Sequence, residues 1–338
     1  MTHDPSSPTA SVTPTVPAGR RSVLDVVRGV LLLVIVVVAV TVALVRNWSD
    51  VSSHLGAVSG RAWVLAVAGA MAAPLLTLMG WRALLADLGS PLSVPSAAGV
   101  FMVGQLGKYL PGSVWSVVVQ TEMAKRLGVP RRRTGVVGLI AMVMALLTAA
   151  AVGLPALPLL LDRGNGTSLV LVGVALIVLV VAMWPPLLNR AVELALRLLR
   201  REPLERPLSA RGISAMGAWF VGAWIATALP VWVFAGDLAT PGRSAGELAI
   251  VTMSGFCLAA AVGMVSFLVP AGLGVREALL ALLLVAVMPV AAATAVVVLS
   301  RFLTVLADVG WAALGWLWAR AHHLWPGRAP SAGPGESP

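Results

Sequence analysis

Charge is scarce in this sequence. Only 11% of its 338 residues are Asp, Glu, Lys or Arg, against roughly a quarter in a soluble domain. With 59% hydrophobic residues, that shortfall excludes an ordinary soluble enzyme. Cysteine is nearly missing too, and the single Cys257 rules out a disulfide framework and any zinc or iron–sulfur centre built on several thiolates. Histidine is equally thin. His3 lies in the N-terminal tail, His54 in a loop, and His322 and His323 are adjacent near the C-terminus, so none has metal-ligand spacing. There is no G-x-S-x-G nucleophile elbow. Gly104-Gln-Leu-Gly-Lys108 is too short for a nucleotide phosphate loop, and Tyr109 stands where that loop needs Ser or Thr. No metal, no cofactor and no enzymatic activity are therefore expected.

Acidic residues are the scarcer sign of charge. There are 14 Asp and Glu against 24 Lys and Arg, for a net charge of +10, and only Lys108 and Lys125 among the cations are lysines. Such an excess asks for an anionic partner. Nucleic acid needs a basic face on a soluble fold, whereas these arginines cluster between apolar runs. No nucleic acid is expected, and an anionic membrane leaflet fits best.

What the chain does have is long apolar stretches. A helix needs about 20 apolar residues to cross a bilayer. Runs near Gly29–Val45, Ala62–Gly80, Thr134–Leu161, Ser168–Pro185, Ile213–Gly236 and Leu248–Val269 read as transmembrane helices. The stretch Ala278–Ala319, interrupted by Pro289 and Arg301, is too long for one ordinary span and is compatible with two helices. The expectation is an all-α polytopic membrane helix bundle of about seven to nine membrane segments. Residues 1–22 are rich in Pro, Ser and Thr and read as a disordered tail, as do residues 321–338, leaving residues 23–320 as the membrane domain.

Orientation follows from the arginines, which cytoplasmic loops retain. Arg20, Arg21 and Arg28 place the N-terminus inside, and Arg320 and Arg328 do the same for the C-terminus. Lys125-Arg126, Arg131 to Arg133 and the Arg190–Arg211 linker are cytoplasmic on the same rule, which suits a multi-pass protein of the cell membrane. Trp311, Trp316, Trp318 and Trp325 read as an interfacial belt. Parity then constrains Pro95–Val119. It must cross an even number of times, so it is expected to dip in and return, breaking at Gly107, Lys108, Pro111 and Gly112. Non-helical backbone at that depth is tolerated only where protein or a wet cavity covers it. A second Pro-Gly element, Val269-Pro270-Ala271-Gly272-Leu273-Gly274-Val275-Arg276-Glu277, follows the outer loop. If it enters from the opposite side, the two form an inverted pair around a midplane site. A complete crossing by the run from Leu248 satisfies the sequence equally well.

Gly104-Gln-Leu-Gly-Lys-Tyr-Leu-Pro-Gly-Ser-Val-Trp115, followed by Arg126-Leu-Gly-Val129, and the Val269–Glu277 element resemble two signatures of the lysylphosphatidylglycerol synthase transmembrane-region family, and Arg301 sits where relatives often carry an arginine. The resemblance covers most of residues 25–320. It implies a flippase-like protein in standalone form, without the soluble aminoacyl-transferase domain. One departure is that Gln120-Thr121-Glu122 occupies the place where many relatives have an arginine shortly after the first Pro-Gly.

The residues themselves point the same way. A cation near mid-bilayer costs at least about 2.5 kcal/mol, and Lys108, Arg276 and Arg301 all lie in apolar surroundings with only Glu277 and Asp308 to offset them. Arg276 and Glu277 are neighbours and are expected on different helix sides, while Arg301 and Asp308 share a face without touching. The surplus cation leaves room for a lipid phosphate. The expected substrate-binding residues are Lys108, Tyr109, Arg276, Glu277 and Arg301, with Gly107, Pro111, Gly112, Pro270, Gly272 and Gly274 shaping the backbone. The expected function is translocation of an anionic membrane lipid. The alternative is an accessory subunit that recruits an envelope or lipid-modifying enzyme through its basic loops. Intramembrane catalysis is a third reading, for which Glu277 alone is a candidate. Plainer roles also stand: Lys108 snorkelling to the interface, Glu277 stabilising a helix N-terminus, and Arg301 with Asp308 as a structural polar stripe.

Overall fold

The computed structural model describes residues 52, 56–109, 114–160, 166–198, 200–265 and 274–322. The protein is all-α, with ten helices and no strand among the described residues. Its frame is an antiparallel pair, α1 (Gly60–Asp87) and α7 (Ala210–Leu238). Ser59 and Ser209 cap the two N-termini, accepting hydrogen bonds from the Ala62 and Gly212 amides. Each helix end is also tied to the other helix. The Asp87 carboxylate accepts from the Ser209 amide at 2.9 Å and its hydroxyl at 2.5 Å. At the opposite end the Ser59 amide donates to Asp237 at 2.8 Å. Lipid offers no hydrophobic drive to hold helices together, so close packing must do it. Gly80 shows how, since a Cβ there would lie 2.7 Å from the Phe220 ring.

These ties define two ends of the bundle. At the arginine-rich end, Arg133 donates to Ser90 Oγ at 2.9 Å and pairs with Glu205, while Arg132 bridges Glu202 and Glu205 at 3.1 and 3.2 Å. The two basic segments expected on one side of the membrane are thus in direct contact. Between them run α2 (Val94–Gln105), a 3₁₀ turn over Leu106–Tyr109, α3 (Trp115–Arg126) and α4 (Arg131–Gly153), the last prolonged by short turns to Leu160. Helix α2 starts and α3 finishes at this end, because Arg82 donates to the Leu92 carbonyl at 2.7 Å and Arg131 pairs with Glu122 at 2.6 Å. The two form a hairpin of half-length helices, each roughly 18 Å long at 1.5 Å per residue.

A second hairpin enters from the other end. After α5 (Gly166–Ala182) and α6 (Pro185–Leu198), α8 (Ala245–Val265) begins beside Arg243 and contains a π turn over Ile250–Ser254. Helix α9 (Val275–Leu284) comes back to the same end, where the Thr240 amide donates to the Val287 carbonyl at 3.0 Å and Arg243 to the Ala286 carbonyl at 2.9 Å. Pro289, which has no amide hydrogen to continue a helix, then sits at the N-cap of α10 (Val290–Ala321). The long final apolar stretch is therefore two helices, divided at Pro289.

Among the described residues, five segments are long and apolar enough to cross a membrane: α1, Arg131–Leu160, α7, α8 and α10. The bent α5–α6 pair makes a sixth if it is one span. The expected seven to nine segments, which include one or two re-entrant or broken Pro-Gly elements, are not confirmed by these spans alone, and the first apolar run, Gly29–Val45, lies outside the described residues together with both tails apart from Ala321 and His322. One correction concerns Arg190–Arg211, whose first part is no linker but the C-terminal half of α6. Trp311 is half-buried between helices, its indole N–H donating to the Met71 carbonyl at 3.0 Å.

The core is divided as the hairpins are. One apolar cluster, including Phe234, Phe256, Leu284 and Val296, fills the Asp237 end. The other, including Trp81, Phe101, Met144 and Phe220, fills the arginine-rich end. Helix α10 passes through both.

Candidate functional site

Two charged side chains interrupt α10 where the apolar halves meet. Arg301 and Asp308 are 8% and 5% exposed, the most deeply buried charges among the described residues. By helix rise, Arg301 lies about 17 Å from the start of α10 and Asp308 about 20 Å from its end. In a hydrocarbon layer of about 30 Å, both belong near the middle. They are about 10 Å apart along the axis, and each faces the tip of a different hairpin.

Lys108, in the 3₁₀ turn that ends α2, reaches Asp308 Oδ2 at 2.7 Å. Its side chain is 39% exposed while that of Asp308 is 4% exposed, so the lysine stem lies along the protein surface and only the carboxylate is deep. Gly107 lets the turn close, because a Cβ there would come 2.4 Å from the Ser116 amide of α3. The Tyr109 side chain, Pro111 and Gly112 lie outside the described residues.

The other tip carries Arg276 and Glu277 at the start of α9. Gly274 precedes them with φ +88°, a left-handed conformation that L side chains resist and glycine accepts. Its amide donates to Glu277 Oε2 at 2.8 Å. The other carboxylate oxygen faces two guanidinium groups, Arg276 Nη2 at 3.2 Å and Arg301 Nε at 3.5 Å. The expectation that Arg276 and Glu277 point apart is thus wrong. Glu277 curls back over the helix N-terminus, and the arginine is long enough to follow it. Glu277 therefore satisfies an N-terminal amide and binds cations at once. Pro270 and Gly272 lie outside the described residues.

Arg301 is the least satisfied member. Its side chain is 9% exposed, and Nε and Nη2 have no hydrogen-bond partner among the described residues. A buried donor left unmade costs about 1–3 kcal/mol, and more when charged. Among the described residues this belt holds three cations and two carboxylates, and the sequence of residues 110–113 and 266–273 carries no charge. The cations outnumber the carboxylates on the side where Arg301 and Arg276 share Glu277.

The four expected substrate-binding residues whose side chains are described are therefore brought to one helix but not to one point. Lys108 belongs to the Asp308 pair, whereas Arg276, Glu277 and Arg301 form a separate group. One residue escaped the sequence reading. Phe256 of α8 lies 5.4 Å from the Arg276 guanidinium, ring face toward the cation. A phenylalanine inside an apolar run carries no local signal of that role. Among the described residues no His, Cys, Asp and Glu cluster suited to a metal is present.

A hairpin of two half-length helices, a second hairpin that pairs the span-length α8 with the short α9, a through-going α10 and charged side chains where the apolar halves meet define a polytopic α-helical membrane protein with a polar centre in its apolar core. The family model for the lysylphosphatidylglycerol synthase TM region matches residues 30–312, and the chain belongs to that family. Comparison with proteins of curated function finds no match.

Proposed function

We propose that this protein moves an anionic phospholipid between the leaflets of the cell membrane, with the headgroup phosphate held at Arg301 and Arg276. The observation that carries the reading is the Arg301 guanidinium: buried, short of hydrogen-bond acceptors and part of a belt in which cations outnumber carboxylates. A phosphate diester offers the unmet Arg301 donors a negative charge and oxygens suited to the guanidinium fork. The N-terminus of α9 points its positive end toward the same group. The family supports a lipid-related membrane function. In this reading α2–α3 and α8–α9 are re-entrant hairpins entering from opposite faces, and the arginine-rich end is cytoplasmic. Neither cofactor nor enzymatic step is involved.

The test is reconstitution into vesicles carrying a fluorescent phosphatidylglycerol in both leaflets, with dithionite quenching of the outer pool. The wild-type protein should expose nearly all of the label, while Arg301→Gln should leave the inner half protected and remain monodisperse. Equal movement by the two proteins would defeat the reading.

A further inference from the structure

We infer that α6 is a membrane-surface helix that seats in the headgroup layer of the arginine-rich leaflet and binds anionic lipid there. The inference is independent of the transport reading. Helix α6 leaves the fully apolar α5 at a bend of 59°, which turns it from the direction of a span toward the membrane plane. Its residues then fall into three stripes at helical spacing. Leu188 and Leu196 are buried, with Val192 between them half-buried, and dock the helix on the bundle. Asn189 fixes that docking, its amide donating to the Leu208 carbonyl at 2.9 Å and accepting from the Leu208 amide at 2.8 Å. The second stripe, Leu187, Ala191, Leu194 and Leu198, is exposed; its leucines are 46%, 59% and 76% exposed. The third is charged: Arg190, Glu193 and Arg197, also exposed, with Arg197 and Glu193 paired at 2.6 Å.

An exposed apolar stripe beside a charged one, on a helix already fixed to the bundle by its third face, matches a lipid interface. The exposed stripe continues the apolar surface of α5, where Ile177, Val178, Val180 and Val181 are all uncovered. That continuity makes the occupant lipid and not a soluble partner. The helix then ends in a way that favours cations. The Arg201 amide donates to the Leu196 carbonyl at 2.8 Å and the Arg200 amide to the Arg197 carbonyl at 3.0 Å, with Arg200 at φ +51°. Glycine is the usual residue at this left-handed position of a helix end. Here arginine occupies it, and Arg200 and Arg201 are both exposed immediately beyond the apolar stripe. Phosphodiester headgroups of an anionic leaflet are the partner these cations meet.

Spin labels at 193, 194, 197 and 198, introduced one at a time as cysteines in a Cys257→Ala background, test the placement in nanodiscs. Labels at 194 and 198 should be relaxed by oxygen, which partitions into lipid, and those at 193 and 197 by a water-soluble nickel chelate. The 194 and 198 labels should sit deeper in discs containing phosphatidylglycerol than in discs of phosphatidylcholine alone. Arg200→Gly keeps the left-handed turn and removes a cation, so it should leave the label at 198 equally ordered while shrinking the difference between the two lipids. Nickel access at 194 and 198 equal to that at 193 would overturn the interfacial placement. Equal depth in both lipid compositions would overturn the anionic-lipid preference.

Discussion

The Lys108–Asp308 pair predicts an asymmetry that only its depth explains. Removing the lysine as Lys108→Met takes an ion-pair partner from a carboxylate that is 4% exposed in the middle of the bundle, whereas Asp308→Asn takes one from an ammonium on a side chain that is 39% exposed. Breaking a buried pair from the side that leaves the buried charge costs about 3–5 kcal/mol. Breaking it from the other side leaves the charge on the more exposed and more flexible of the two side chains and should cost less. The double variant Lys108→Met/Asp308→Leu removes both charges and should fall well short of Lys108→Met alone, a coupling of about 2 kcal/mol or more. Unfolding by SDS in mixed micelles, followed by tryptophan fluorescence, measures all three. If Lys108→Met proves no worse than Asp308→Asn, or if the single losses simply add in the double variant, the pair is not at depth and the hairpin tip does not reach α10 as described.

Two further outcomes follow from packing and from charge. A Cβ on Gly99 of α2 would lie 2.3 Å from the Trp318 ring of α10, so Gly99→Ala should destabilise by about 1–3 kcal/mol in the same assay and Trp318→Leu should restore part of the loss. At the arginine-rich end the hydrogen bond and charge of Arg133, helped by Arg132, hold the Glu205 carboxyl below the usual carboxylate range. Because the folded value is the lower one, the stabilisation is complete above the ordinary glutamate value and disappears as pH falls through the depressed one. The melting temperature of Glu205→Gln should therefore lie below wild type at neutral pH and meet it on the acid side.

Much of this architecture is legible in the residues because the membrane permits few solutions. Charge-free runs of about 20 residues have to be helices, and the runs from Ala62, Thr134, Ile213 and Leu248 each contain or overlap a helix of spanning length. Parity of the arginine clusters picks out Pro95–Val119 as a segment that returns to its starting side, and Pro289 marks a real helix boundary. Helix α6 was hidden by its composition: two arginines, a glutamate and an asparagine in fourteen residues read as a polar linker unless the leucine spacing is followed. Within the site, residue types are readable and partners are not. Lys108 and Asp308 are two hundred positions apart in the sequence, and nothing local says which of three cations meets which of two carboxylates. Arg276 and Glu277 mislead for the opposite reason. Helical geometry separates neighbouring side chains at Cβ, but an arginine beside a helix N-terminus is long enough to cancel that separation.

The division of the core gives the two hairpins different attachments, and this bears on how a guest would pass. The α2–α3 hairpin belongs to the cluster around Trp81 and Met144, while the α8–α9 hairpin belongs to the cluster around Phe234 and Leu284. Each brings one ion-pair group to α10, at Asp308 and at Arg301 respectively, and α2 also packs along it, Gly99 against Trp318 and Met102 against Gly315. Displacing one tip along α10 therefore breaks one group with its local packing and leaves the other half of the core packed. On the proposed reading, a phosphate that neutralises the Arg276 and Arg301 side competes with Glu277 for the same guanidinium groups, while the Lys108–Asp308 pair, about 10 Å further along the helix, keeps the opposite hairpin closed. Packed interfaces shift between discrete arrangements more readily than they deform continuously. Two such contacts, offset along one rigid helix and anchored to separate cores, are therefore able to open in turn. A single cavity ringed by all three cations would have to open to both faces together.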